Sequence, residues 1–91
     1  MLIIRRVVGN SMEPALKPGQ LVFGLRWTRL AKPGSVVIFK HQNKEKIKRL
    51  THQKDNQIFV SGDNPAHSTD SRSFGWLPHN ALTALVIWPR R

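Results

Sequence analysis

Three short segments of this chain carry residue types that could do covalent chemistry. They are Gly9-Asn10-Ser11-Met12-Glu13-Pro14, the pair Lys48-Arg49, and Ser61-Gly62-Asp63-Asn64 running on to Ser68-Thr69-Asp70-Ser71-Arg72. A serine hydroxyl is a weak nucleophile until a neighbouring base takes its proton. Lysine is such a base only when neutral, so its pKa must fall well below ~10.4 through desolvation or nearby cations. A polar segment rich in serine and charge could hold the amine in place. Nucleophile, base and frame together are the parts of a serine–lysine hydrolase.

Each part also has a simpler reading. Ser11 could merely open a turn or cap a short helix, with Glu13 nearby. As a nucleophile it gains from Gly9, which lets substrate approach the backbone closely, and the amides of Gly9 and Ser11 are candidate oxyanion donors. Lys48 stands among Lys44, Lys46 and Arg49, all of which a solvated hairpin could carry. Strand alternation sends Lys46 and Lys48 to one face and Ile47 and Arg49 to the other, and nothing local separates Lys48 from its neighbours. Asp63, Asp70 and Arg72 can form an ion-pair set. On an extended segment Asp70 and Arg72, two apart, project the same way. His41, His52, His67 and His79 show no metal-ligand spacing and the chain has no cysteine, so neither metal nor cofactor is expected. A Ser-His-Asp arrangement ranks below Lys48 because no spacing selects one histidine.

The elements that must position these residues read as β-strands. Apolar runs rich in β-branched residues span 2–8, 20–27, 35–40, 45–51, 57–61 and 82–88. Turn signals separate them at Lys17-Pro18-Gly19, Lys32-Pro33-Gly34, His41-Gln42-Asn43-Lys44, Asp55-Asn56 and Pro78-His79-Asn80. Residues 62–75 have no apolar periodicity and read as a long polar loop, the kind that carries function. No amphipathic helix longer than about two turns is visible. The expectation is one domain over 1–91, mainly β, a small coiled sheet or barrel with little helix.

Fifteen Lys and Arg against five Asp and Glu give a formal charge of +10, which favours acidic partners. No stretch reaches the ~20 apolar residues of a membrane span, so a soluble, cytoplasmic protein is expected. Peripheral membrane contact through Trp27, Trp76 and Trp88 is compatible with the basic surface. A non-catalytic basic β-barrel that binds nucleic acid is the alternative from another class, with Phe23, Trp27, Phe39 and Phe59 as stacking candidates. Those aromatics lie inside apolar runs and read more simply as core, so no nucleic acid is expected.

Residues 9–16 resemble the Ser-Met-x-Pro box of the type I signal peptidase family. Ile47-Lys48-Arg49 resembles its Lys-Arg box, and Gly62-Asp63-Asn64 through Ser68–Arg72 and Gly75 resemble its third box, with internal spacing intact. The boxes come in the right order and span nearly the whole chain. The resemblance implies a signal-peptidase-like β fold and a serine–lysine endopeptidase with Ser11 as nucleophile and Lys48 as base. It further implies Ser68 bonded to the lysine amine, Asp70 paired with Arg72 to fix the loop, and Asp63 and Arg49 as added support. Met12, Leu16 and Ile47 would line shallow pockets for small substrate side chains. Ala15 stands where the family has threonine, Leu50-Thr51-His52 replaces its glycine-proline-glycine turn, and its membrane anchor and large second domain are missing. Such brevity is most similar to members that mature nickel-type superoxide dismutase. The implied substrate is a leader-bearing nickel superoxide dismutase precursor, with nickel belonging to the substrate; the alternative is a signal peptidase acting on secretory preproteins.

Overall fold

Glycine and proline cut the β-branched runs into seven strands, and the computed structural model describes residues 1–90. They are β1 (Leu2–Arg6), β2 (Leu21–Leu25), β3 (Val36–His41), β4 (Lys44–Lys54), β5 (Gln57–Ser61), β6 (Leu77–Pro78) and β7 (Leu82–Trp88). All pair antiparallel in one sheet of order β1-β2-β7-β3-β4-β5-β6. The β3–β4 hairpin turns on Gln42 and Asn43, both at positive φ, which matches the twist of its strands. The mainly β architecture expected from the sequence is the one observed. Among the described residues helix is confined to three short 3₁₀ turns and α1 (Ser71–Phe74).

Side chains alternate across the sheet, and both faces are buried along the central strand β3. Val36 and Ile38 join Ile3, Val7, Met12, Leu16, Val22 and Val86 in one apolar core. Val37 and Phe39 point the other way, into a second core with Leu50, Ile58, Val60 and Leu77. A sheet that is coiled enough to close over both of its faces fits this division.

Two strand edges matter for function. β1 ends the sheet and pairs only with β2. In β4, pairing with β5 begins at Arg49, so residues 44–48 pair with β3 alone. These two edges face each other, and the Arg5–Glu45 ion pair spans from one to the other.

The long polar loop proves more ordered than its composition implies. It contains a 3₁₀ turn at Pro65–His67 and the single turn α1, and β6 follows it to pair with β5. Asp70 and Arg72 meet for a reason other than the expected extended backbone. Asp70 is the N-cap of α1, and its carboxylate accepts from the Arg72 N–H.

Candidate active site

Ser11 sits in the turn between β1 and β2, just after Gly9 at φ +79°. The turn is pinned from across the molecule. Asn64 donates its backbone N–H to the Ser11 carbonyl at 2.8 Å, and its side-chain amide to the Asn10 carbonyl at 3.1 Å. Among the described residues no acceptor takes the Ser11 N–H, so this donor is available to a developing oxyanion.

Lys48 reaches the same turn from β4. Its Nζ lies 2.7 Å from Ser11 Oγ, 37 positions away in the sequence. Register alone does not set this lysine apart, since Lys48 stands opposite Val37 and Lys46 opposite Phe39, both of the second core. Burial does: Lys48, whose amine meets the Ser11 turn, is only 7% exposed, whereas Lys44 is exposed and Lys46 half-buried. Burial pushes the Lys48 ammonium below the ordinary lysine value; the charge of Asp70 opposes that push and Lys46 reinforces it. Lys46 shares the face, as alternation requires, and lies over the Phe74 ring.

Ser11, Met12, Ile47 and Lys48 line a cleft of about 300 Å³ between the two free strand edges, with Val7 and the Arg5–Glu45 pair along its walls. Leu16, expected in a substrate pocket, is fully buried in the first core. Its N–H donates to the Met12 carbonyl, and that turn directs the side chain inward.

The third segment forms a frame behind the dyad. Asp70 is 1% exposed and collects the Gly62 N–H at 2.7 Å, the Ser68 hydroxyl at 2.7 Å, and the Arg72 N–H and Nε at 3.0 and 2.9 Å. Burial alone would raise this carboxyl, but the Arg72 guanidinium, the Gly62 amide and the Ser68 hydroxyl outweigh it and hold it well below the usual carboxylate range. The Ser68 hydroxyl donates to Asp70, and, contrary to expectation, among the described residues no hydrogen bond joins it to the lysine amine; the amine is turned to Ser11 instead. Asp63 and Arg49 form a separate bidentate pair, with contacts of 2.9 and 2.7 Å, so the acids and arginines of this region make two pairs and not one set. Among the described residues no histidine bonds Ser11, and no three His, Asp or Glu side chains gather as metal ligands would.

Gly62 and Asn64 are positioning residues that the side-chain chemistry of the segment did not single out. A Cβ on Gly62 would lie 2.7 Å from both the Ser11 carbonyl oxygen and the Ser68 Cβ, closer than real contacts allow. Gly62→Ala must therefore displace Ser68, the Ser11 turn or both, and with them the frame around Lys48. An ångström of misplacement costs about 10²-fold in rate, so the variant should lose 10- to 100-fold in kcat/KM while circular dichroism still reports the β fold.

A family model described as Peptidase S24-like matches residues 1–74, which include all three segments. Among curated proteins none matches the chain. No helix among the described residues is long and apolar enough to cross a membrane.

Proposed function

The chain belongs to the Peptidase S24-like family and is in that sense a serine peptidase, and we propose that it is an endopeptidase with Ser11 as nucleophile and Lys48 as general base. The observation that carries this reading is the 2.7 Å approach of a buried lysine amine to a cleft serine. With the amine neutral, Lys48 accepts the Ser11 proton as Oγ attacks the scissile carbonyl. The Ser11 amide stabilises the tetrahedral oxyanion, with the Gly9 amide as the second candidate donor. Lys48 returns the proton to the leaving amine, and water, activated by the same lysine, cleaves the acyl-enzyme.

The substrate in this proposal is an extended segment lying between the free edges of β1 and β4, where backbone groups of both strands can pair with it. Val7, Met12 and Ile47 favour small apolar side chains beside the scissile bond. Arg5, Arg6 and Lys46 along the cleft suit an acidic partner. By resemblance of the three segments to the signal peptidase boxes, the reaction is removal of an N-terminal leader, with a nickel superoxide dismutase precursor as the substrate to try first.

Incubating the protein with that precursor should give a shortened product, and Ser11→Ala should leave the precursor intact. Cleavage that survives Ser11→Ala would overturn the nucleophile. A precursor left uncut while another leader-bearing peptide is cut would remove only the substrate assignment.

A further inference from the structure

The rows of side chains that build the first core end in charges. Side chains alternate along each strand, so the row with Val22 in β2 runs on to Arg26, and the row with Val36 and Ile38 in β3 runs on to Lys40. The row with Ile47 in β4 leads back to Glu45. Pairing carries the first row past the end of β2, since the Arg26 N–H donates to the Met1 carbonyl. These row ends meet around a cavity of about 470 Å³, which Arg5 of β1 and the side chains of Thr28 and Thr83 also line.

The charges of this cavity do not balance. Among its described lining residues Glu45 is the one acid; it pairs with Arg5 and stands across from Lys40 in the β3–β4 register. Among the described residues neither Lys40 nor Arg26 has a carboxylate partner. One cation at a strand end is simply solvated. Two that face the same concave space, beside a third, raise the local concentration of anions there.

Position decides which anions arrive. Arg5 and Glu45 line both this cavity and the catalytic cleft, so their ion pair is the boundary between the two. Glu45 precedes Lys48 by three positions on β4, about 10 Å along a strand. A chain laid between the free edges of β1 and β4, with its scissile bond at Ser11, passes this boundary at about its third residue from that bond. Its residues at about the fourth to sixth positions then enter the cavity.

We propose that this cavity is a specificity site for acidic side chains of the peptide substrate, about four to six residues from the scissile bond. The ammonium of Lys40 and the guanidinium of Arg26 take the carboxylates, and the hydroxyls of Thr28 and Thr83 add uncharged donors. Neither cation lines the catalytic cleft. The path of the substrate rests on the peptidase reading, but binding at this site needs no turnover.

The test is fluorescence anisotropy with labelled peptides on full-length Ser11→Ala, which holds a peptide uncut. One peptide carries Ala-Ala at its centre and glutamate at the fourth to sixth residues on either side; the other carries glutamine there. The acidic peptide should bind about tenfold tighter, a margin that shrinks as salt is raised. Lys40→Gln and Arg26→Gln in that background should each cut the margin about threefold. Lys54→Gln, which removes an exposed charge at the far end of β4, should leave it intact. Equal affinity for the two peptides would overturn the proposal. So would an equal loss in Lys54→Gln, which would reduce the effect to net charge. A single-stranded oligonucleotide that binds tighter than the acidic peptide, and loses that affinity in Lys40→Gln, would assign the cavity to nucleic acid instead. Wild-type turnover keeps this site and the peptidase reading apart. The expected binding margin with neither peptide cut would count against the peptidase and leave the acidic site standing, whereas both peptides cut at equal kcat/KM would do the reverse.

Discussion

Lys48→Met is expected to abolish cleavage and, at neutral pH, to raise the melting temperature. Methionine keeps the length and apolar stem of lysine but cannot take a proton from Ser11. Loss of the general base should reduce kcat/KM by at least about 10³-fold. Stability moves the other way because the site disfavours the ammonium. The folded pKa of Lys48 lies below the unfolded value, so between those two values the unfolded chain binds more protons and stability rises with pH. Below that window the folded protein carries a charge buried at some cost, which methionine removes. A gain of about 1 kcal/mol would raise the melting temperature by roughly 4–8 °C in a domain of this size. The same shift fixes the wild-type pH profile: kcat/KM climbs as Lys48 loses its proton, with its inflection below the ~10.4 of a free lysine. Thermal melts and pH–rate curves read the two effects separately. A variant that melts lower, or one that keeps cutting, would make Lys48 structural.

Much of this arrangement is visible in the sequence, but not in equal parts. Six strands and most of their turns follow from apolar runs and from Gly, Pro and Asn, because strand period and turn chemistry are local properties. β6 and α1 escape such a reading: two and four residues are too short to show a period. The cap at Asp70 is a local signal nonetheless, an aspartate directly before Ser71–Phe74. Ser11 and Lys48 can be proposed as partners from the order of the three segments, yet their contact spans 37 positions and depends on the curl of β1 toward β4. What separates Lys48 from Lys46 is burial against the Ser11 turn, since the β3–β4 register sets both opposite second-core residues, Val37 and Phe39. Ser68 and Leu16 show the limit of carrying over roles by position. The first donates to Asp70 and makes no bond to the lysine amine, and the second is taken by the core.

The largest loss of stability is expected from Asp70→Asn. The carboxylate is buried and accepts from Gly62, Ser68 and three groups of Arg72. An asparagine amide would turn its own donors toward some of these donors and bring no charge to answer the guanidinium. Breaking a buried charged network of this kind costs about 3 kcal/mol, a substantial share of the 5–15 kcal/mol that holds a small domain. The pH dependence gives the prediction its signature. Because the folded pKa of Asp70 is held below the ordinary carboxylate range, its stabilisation is fully present above the unfolded value of ~3.9 and is lost as pH falls through the folded one. Chemical denaturation should therefore show a constant gap between wild type and Asp70→Asn at pH 5–8, narrowing below about pH 4 as wild type begins to lose the contribution. A gap that persists undiminished into strong acid would mean that shape and packing at position 70, and not its charge, hold the frame behind the dyad.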